Sequence, residues 1–333
     1  MNTIHRWLNP NLAILKFQIM HLFIYTSLFS IILLSASCGT TQPPATMTDW
    51  KYPFEVNFAQ VNDSVRLAYV DEGKGSEVLL FIHGLGSNLQ AWQKTITGLS
   101  GQYRCIALDL PGYGKSSQKK YAFGMRFFAD QVDAFIKELG LKKVTLVGHS
   151  MGGQVAITLA LQKPAYLKQL VLAAPAGLEA FSPENRAFFA TYVQPQLIRA
   201  TTESQIKANF ELNFYDMPDD ARFMIEDRMD MRKDTQAYLY YSEMIPNCVL
   251  GMLDEPVADR LAELNLPTLL IFGRQDQLIP NKFLHPELTV EEVAKSGEKA
   301  IKGAKLVFLD KAGHMVQWDQ SSAFNQSIKA FID

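Results

Sequence analysis

The sequence predicts an α/β fold with a mostly parallel sheet, and three observations support this class. Short, almost continuous apolar runs, such as residues 77–82 and 144–147, have the length and composition of strands buried on both faces of a sheet. Segments with helical spacing of apolar residues separate these runs. A block without strand-like runs, residues 176–261, interrupts the alternation once. Alternating strands and helices indicate a sheet that is covered by helices.

Each predicted element follows from its local pattern. Apolar runs predict strands at residues 65–70, 77–82, 103–108, 144–147, 167–174, 268–273 and 305–309. Helical spacing predicts helices at residues 91–99, 127–139 and 154–163, and another through Phe324, Ile328 and Phe331. Gly140 is placed to end the second of these helices, and Thr289 with Glu292 has the spacing of a capping box.

Length, charge and cysteine content limit the classes of function. At 333 residues the chain is long enough for one large α/β domain with an inserted subdomain. A net charge of -2 provides no basic surface for nucleic acid, so nucleic-acid binding is excluded. Of the three cysteines, Cys105 lies in an apolar strand pattern and is expected to be a small buried hydrophobic residue. A disulfide framework is therefore not indicated.

The first 38 residues are predicted to be an export signal rather than part of the fold. Arg6 and Lys16 precede an apolar run at residues 22–34, and small residues follow it. This order of positive, apolar and small residues is typical of a secretory signal. The apolar run is shorter than the roughly 20 residues that a membrane-spanning helix needs.

Cys38 indicates which kind of signal this is. Ala36-Ser37-Cys38 resembles a bacterial lipobox, in which cleavage leaves the cysteine as a lipidated N-terminus. The resemblance implies lipidation at Cys38 and a membrane-anchored lipoprotein that faces the periplasm or the cell exterior. Residues 39–49 are then predicted to form a flexible tether. Because Leu34 lies one position earlier than in the bacterial pattern, plain secretion and an uncleaved anchor remain as alternatives.

Ser150 lies at the centre of a strand–turn–helix pattern. The stretch Gly148-His149-Ser150-Met151-Gly152 has the form G-x-S-x-G and stands between a predicted strand and a predicted helix. Such a turn holds its serine at the apex in strained backbone geometry, and side chains in place of the two glycines would collide with the approaching helix. The helix N-terminus behind Ser150 favours negative charge that develops nearby.

This stretch resembles the nucleophile elbow of the α/β-hydrolase fold family, in its serine-nucleophile, capped, esterase- and lipase-like branch. The resemblance covers residues 50–333 and implies a mostly parallel eight-stranded sheet flanked by helices, with a helical cap inserted after strand 6. Residues 50–175 and 262–333 would form the core, and residues 176–261, rich in aromatic residues and methionine, the cap. This composition predicts a lipophilic acyl or aromatic pocket, although most of these side chains are expected to pack the cap onto the core.

Two further stretches carry the resemblance. The first is the turn His83-Gly84-Leu85-Gly86. By resemblance, the backbone N–H of Leu85 forms one half of the oxyanion hole and that of Met151 the other, since a tetrahedral intermediate places negative charge on oxygen. The second is the D-x-P-G-x-G-x-S loop that begins at Asp109, to which we assign a structural role.

The family keeps its catalytic residues in the chain order serine, acid, histidine. A strand that ends in G-x-x-D assigns the acid to Asp276 by resemblance, while Glu179, after the preceding strand, remains the alternative. His314 follows the last predicted strand and is assigned as the base by elimination among six histidines as well as by resemblance. His285, the other uncommitted histidine, is expected on the surface, with the pocket mouth as the alternative.

Ser150, Asp276 and His314 together predict a serine hydrolase that cleaves a carboxylic ester through an acyl-enzyme on the serine. The expected partner is a small, lipophilic ester, and no metal or organic cofactor is required. A carbon–carbon bond hydrolase of the meta-cleavage-product type shares the capped fold and the triad and is the first alternative. A non-catalytic ligand-binding protein is the second. The serine argues against haloalkane dehalogenases and epoxide hydrolases, whose nucleophile is an aspartate.

Overall fold

The computed structural model describes residues 50–333. The predicted export signal, the lipidation site Cys38 and the tether at residues 39–49 lie outside the described residues. Within residues 50–333, no helix is both long enough and apolar enough to cross a membrane.

An eight-stranded sheet forms the centre of the described chain. Its strands are β1 (Asn57–Gln60), β2 (Arg66–Glu72), β3 (Val78–Ile82), β4 (Arg104–Leu108), β5 (Val144–His149), β6 (Leu167–Ala173), β7 (Thr268–Gly273) and β8 (Lys305–Leu309). They are arranged in the order β1-β2-β4-β3-β5-β6-β7-β8. β2 pairs antiparallel with both β1 and β4, and all other pairs are parallel. The predicted mostly parallel, eight-stranded sheet is confirmed.

The central strands are buried on both faces, as their apolar runs predict. Every residue of β3, β5 and β7 is buried. The seven predicted strands agree with the structure to within two residues at each end. The edge strand β1 was not predicted, because its four residues include the exposed Phe58 and carry no clear apolar alternation.

Helices follow most of the parallel strands. They are α1 (Gln93–Leu99), α2 (Met125–Glu138), α3 (Met151–Ala160), α4 (Pro183–Tyr192), α5 (Pro195–Ala200), α6 (Glu203–Glu211), α7 (Phe223–Lys233), α8 (Thr235–Asp254), α9 (Val290–Ala300), α10 (Val316–Asp319) and α11 (Ser321–Ile332). Gly140 follows the end of α2 with φ 59°, and Thr289 and Glu292 form the capping box of α9, both as predicted.

Alternate residues of β3 face two apolar layers, one on each side of the sheet. Leu80 and Ile82 belong to the layer that includes apolar residues of α2 and α3, whereas Leu79 and Phe81 belong to the layer that includes residues of α1 and α11. Phe81 is fully buried, and its ring centroid lies 5.1 Å from that of Trp92. Truncation of such a phenylalanine to alanine typically costs about 3–5 kcal/mol of stability.

The segment between β6 and β7 is a helical insertion. It contains α4 to α8 and two short 3-10 helices, Asp219–Ala221 and Ala258–Glu263, and none of its residues in the described chain belongs to a strand. The longest helix, α8, begins where the Asp234 side chain accepts hydrogen bonds from two backbone N–H groups. Because α8 buries many of its side chains whereas α4 and α5 bury none completely, α8 anchors the insertion. The exact cap boundaries, residues 176–261, stay a prediction.

Candidate active site

Ser150 occupies the turn between β5 and α3, at the edge of the sheet where the parallel strands end. Its backbone has φ 53° and ψ -120°, which is a strained conformation for a residue with a side chain. A Cβ atom on Gly148 would lie 2.4 Å from the carbonyl oxygen of Gly152, and a Cβ atom on Gly152 would lie 2.4 Å from that of Ile82. Glycine at both positions therefore allows the close packing that holds Ser150 at the apex.

His314 and Asp276 form a buried pair in the loops that follow β8 and β7. Nδ1 of His314 donates to Oδ2 of Asp276 at 2.8 Å, and the two residues are only 3% and 5% exposed. The other carboxylate oxygen accepts the N–H groups of Leu278 at 2.8 Å and Ile279 at 3.0 Å. These three donors fix the carboxylate, and the bond to Nδ1 leaves Nε2 of His314 available for proton transfer. His314 and Ser150 line the same cavity.

Glu179, the alternative acid, is paired with a different histidine. Its Oε1 accepts a hydrogen bond from Nδ1 of His285 at 2.5 Å, and its two oxygens accept the N–H of Asn281 at 3.0 and 3.1 Å. Burial raises the pKa of Glu179 above its ordinary value, although both partners lower it. Glu179 lines the cavity with Ser150. His285 is therefore a half-buried partner of Glu179 rather than the free surface histidine that we expected.

The N–H groups of Leu85 and Met151, expected to form the oxyanion hole, donate no hydrogen bond to any group within residues 50–333. The peptide that carries the Leu85 N–H is held from its opposite side. Nδ1 of His83 donates to the carbonyl oxygen of Gly84 at 2.8 Å, while Nε2 of His83 accepts the N–H of Leu110 at 3.1 Å. Because the C=O and N–H of a trans peptide point in opposite directions, His83 fixes the direction of the Leu85 N–H. Burial lowers the pKa of His83 to about 4, so its ring is neutral near pH 7.

Asp109, in the loop to which we assigned a structural role, ties three segments together. Its fully buried carboxylate accepts hydrogen bonds at 2.8 Å from the N–H groups of Leu89 and Lys115 and from the hydroxyl of Tyr52. Burial raises the pKa of Asp109 to about 6, although these donors lower it. The bond to Leu89 holds the segment that follows the His83 turn.

A sequence model of the α/β hydrolase fold matches residues 77–321. The chain belongs to the α/β-hydrolase family. Among solved structures, this α/β-hydrolase is similar to an esterase from Exiguobacterium antarcticum, with a TM-score of 0.68 and 21% identity over 83% of this chain and 98% of the other. At this level of identity, the similarity shows the shared fold alone.

Two relatives in sequence have names that describe different chemistry. This α/β-hydrolase is 32% identical over 278 residues to the dihydrolipoyllysine-residue acetyltransferase component of the acetoin cleaving system of Cupriavidus necator, over 83% of this chain and 68% of the relative. It is 26% identical over 293 residues to the 2-hydroxy-6-oxononadienedioate/2-hydroxy-6-oxononatrienedioate hydrolase of Escherichia coli strain K12, over 83% of this chain and 94% of the relative. The relatives therefore indicate the hydrolase family and no single reaction.

A cavity of about 570 Å³ lies next to Ser150 and His314, a volume within the range of small-molecule sites. The insertion contributes a mainly apolar wall to it, which includes Phe189, Ile206, Phe210, Phe214, Met224, Tyr241, Ile245 and Met252. Other apolar residues of the insertion, such as Met231 and Met244, are buried outside this cavity. The insertion of this α/β-hydrolase therefore supplies apolar surface both to the cavity and to the packing around it.

Arg228, on α7, is a cation in the wall of the cavity. Its Nη2 donates to the carbonyl oxygen of Gly86 at 2.7 Å, and its guanidinium carbon lies 3.9 Å from the centroid of the Tyr241 ring. Within residues 50–333, its Nε atom is buried without a hydrogen-bond partner, and no carboxylate forms an ion pair with it. A cation held by a carbonyl group and an aromatic ring keeps donors for an anionic group of a ligand.

Sequence reasoning missed Arg228 and the Glu179–His285 pair. Arg228 is one of several charged residues on α7, and its neighbours in sequence give no sign of which of them faces the cavity. Glu179 and His285 are separated by 106 positions, so only the packing of two loops brings them together.

Proposed function

We propose that this α/β-hydrolase is a serine hydrolase that cleaves a carboxylic ester through an acyl-enzyme on Ser150. The buried His314–Asp276 pair, of which His314 lines the same cavity as the strained Ser150, is the observation that supports this function best. The free N–H groups of Leu85 and Met151 support it further, because acyl transfer needs donors for a developing oxyanion.

In the acylation step, Nε2 of His314 takes the proton of the Ser150 hydroxyl as Oγ attacks the carbonyl carbon of the ester. The carbonyl oxygen gains negative charge, which the N–H groups of Leu85 and Met151 stabilise. Asp276 stabilises the imidazolium through the Nδ1 hydrogen bond. The carbon–oxygen bond to the alcohol then breaks, and His314 gives its proton to the departing oxygen, which leaves the acyl-enzyme.

Water completes the cycle. His314 takes a proton from a water molecule as the water oxygen attacks the acyl carbon, and the same two N–H groups stabilise the second oxyanion. The bond between the acyl carbon and Oγ then breaks, and the proton passes from His314 to Ser150. The overall reaction consumes one water and forms a carboxylic acid and an alcohol, without a metal or organic cofactor.

The lining of the cavity favours an ester with a lipophilic part. Aromatic and aliphatic side chains of the insertion, among them Phe189, Ile206 and Ile245, form much of its wall. Burial of apolar ligand surface against such a wall contributes roughly 25 cal/mol per Å². A small to medium acyl or aromatic group therefore suits the cavity better than a polar polymer.

A carbon–carbon bond hydrolase is the second candidate, and Arg228 favours it. The name of the E. coli relative describes a dioate, which is an acid with two carboxylate groups. A guanidinium in the cavity wall that has no counter-ion among residues 50–333 suits such an anionic group, since arginine binds carboxylates through paired hydrogen bonds. The two candidates share the proposed roles of Ser150 and His314 and differ in the bond that breaks.

Burst kinetics of the full chain with p-nitrophenyl esters, from acetate to laurate, test the proposal beside Ser150→Ala. A burst that depends on Ser150 and has an optimum in chain length would support ester cleavage. A second outcome is that no ester is cleaved, while a fluorophosphonate still labels Ser150 and the protein consumes a 2-hydroxy-6-oxo-dienedioate. This outcome would favour the carbon–carbon hydrolase. Absence of both labelling and turnover would contradict both candidates.

A further inference from the structure

We propose that His149 is a positioning residue, which holds the peptide after His314 and thereby the base of the proposed triad. This inference rests on the proposed serine hydrolase function. His149 is the last residue of β5, directly before Ser150, and is only 3% exposed. A residue at this place is fixed by the sheet on one side and by the elbow on the other.

His149 contacts the base in two ways. Its Nε2 lies 3.0 Å from the backbone carbonyl oxygen of His314, and the centroids of the two rings are 4.8 Å apart. Because a carbonyl oxygen can only accept, Nε2 of His149 carries the hydrogen of this bond. The neutral ring of His149 therefore has an Nδ1 atom without hydrogen.

The peptide between His314 and Met315 is held from both sides. His149 donates to its C=O group, and its N–H group donates to the carbonyl oxygen of Asn213 at 2.7 Å. Asn213 follows α6 in the insertion, and the loop packs closely there: a Cβ atom on Gly313 would lie 2.9 Å from the same carbonyl oxygen. The loop that carries His314 is thus held by hydrogen bonds to β5 of the core on one side and to the insertion on the other.

The second nitrogen of His149 argues against a role in packing alone. Nδ1 is buried and has no hydrogen-bond partner among residues 50–333, and a Cβ atom on Gly84 would lie 3.0 Å from it. Burial of an unpaired nitrogen is unfavourable, so an apolar ring would serve the packing better. The hydrogen bond to His314 is what histidine adds at this position.

The charge state of His149 also fits a positioning role. Burial lowers the pKa of His149 well below its ordinary value, and the charges of His314 and His83 lower it further, while the hydrogen bond to the His314 carbonyl raises it. His149 therefore stays neutral while His314 gains and loses its proton. A second cation beside the imidazolium would oppose the charge that the proposed mechanism creates on the base.

Three variants of the full chain separate the hydrogen bond from the packing. His149→Phe keeps a ring and removes the hydrogen-bond donor. His149→Asn has a side-chain amide nitrogen, but this nitrogen lies close to the Nδ1 position rather than the Nε2 position. His149→Gln returns an amide donor close to the Nε2 position. We expect kcat for a p-nitrophenyl ester to fall by roughly ten- to a hundredfold in the Phe and Asn variants with KM nearly unchanged, and to recover in the Gln variant. If the Phe variant does not fold, the Asn variant carries the comparison.

NMR provides a measurement of the position of His314 that does not depend on turnover. The proton between Nδ1 of His314 and Asp276 is expected to give a downfield NMR resonance in the wild type and the Gln variant, and a broadened or shifted one in the Phe and Asn variants. Phe324→Leu is the control for core damage, since Phe324 is buried in the same apolar layer as Trp92, with ring centroids 6.3 Å apart. It should lower the melting temperature and leave the resonance and kcat unchanged.

An unchanged kcat and resonance in the Phe and Asn variants, or equal losses in all three variants, would overturn the role of His149. Failure of the wild type to react with a fluorophosphonate would instead contradict the serine hydrolase proposal, and the resonance would then still report whether His149 positions His314.

Discussion

Glu179 and His285 form a carboxylate–imidazole pair that is separate from the pair formed by Asp276 and His314. Oε1 of Glu179 and Nδ1 of His285 are 2.5 Å apart, and the loop after β7 carries both Asp276 and His285. Each histidine therefore has a carboxylate of its own. Glu179 is engaged by His285 and by the N–H of Asn281, and Asp276 remains the proposed acid of the triad.

Asp276→Asn is expected to reduce acyl transfer by about 10⁴-fold, because the amide favours the wrong tautomer of His314. Glu179→Gln is the matched control, since it removes the carboxylate that is paired with His285 and should change kcat/KM by less than about tenfold. Steady-state kinetics with one ester, combined with thermal unfolding of each variant, measure the difference. Near-normal activity of Asp276→Asn together with a severe loss in Glu179→Gln would assign the acid to Glu179.

Arg228→Met is expected to raise KM for acidic substrates and to leave KM for neutral esters nearly unchanged. A hydrogen bond to a charged group is worth about 1.5–3 kcal/mol, which corresponds to roughly ten- to 150-fold in affinity. For acidic substrates, the KM of Arg228→Lys, which keeps the positive charge but not the planar guanidinium, should lie between those of the wild type and Arg228→Met. Esters of a monocarboxylic acid and of the matching dicarboxylic acid form the test pair. Equal losses for both esters would mean that Arg228 acts through the Gly86 turn and not through the substrate.

Asp109 is expected to make the stability depend on pH. Burial raises its pKa from 3.8 to about 6, so the folded protein holds this proton more tightly than the unfolded chain. The free energy of unfolding should therefore decrease as the pH rises from about 3.8 to about 6, by up to about 3 kcal/mol from this group, and change no further above that window.

Asp109→Asn removes this contribution, although it also weakens the hydrogen bonds from Leu89, Lys115 and Tyr52 at every pH. Urea unfolding of the wild type and the variant at a series of pH values isolates the effect, because the other carboxyl groups are common to both. The difference between the two unfolding free energies should vary within the window and be constant above it. A difference that is constant throughout would contradict the assignment.

Lipidation at Cys38 remains a proposal, and metabolic labelling can test it. When cells that express the full chain are grown with labelled palmitate, the wild type should carry the label and Cys38→Ala should not. Cys105→Ala, which changes a buried cysteine of the core, should keep the label. Equal labelling of the wild type and Cys38→Ala, or none in either, would rule out the lipoprotein and leave plain secretion or an uncleaved anchor.

The elements that sequence could predict depend on local patterns. The strands β3, β5 and β7 are apolar along their whole length because both of their faces are buried, and this leaves a continuous signal in the sequence. The edge strand β1 left no such signal, since it forms only by pairing with β2. The same contrast holds in the site, where the elbow was recognisable and the hydrogen bond from His149 to the His314 carbonyl was not.

The sequence by itself determined the α/β class and the turn that carries Ser150, and its resemblance to the family predicted the order of the serine, the acid and the histidine. Apolar spacing and the glycines at positions 148 and 152 act on neighbouring residues, so they can be recognised without a structure. Only the tertiary structure decided which carboxylate binds which histidine, and that Arg228 faces the cavity without a counter-ion in the described part of the chain. Those outcomes depend on differences of a few ångströms in how loops and helices that are distant in sequence pack together. The separation of two residues along the chain does not predict such distances.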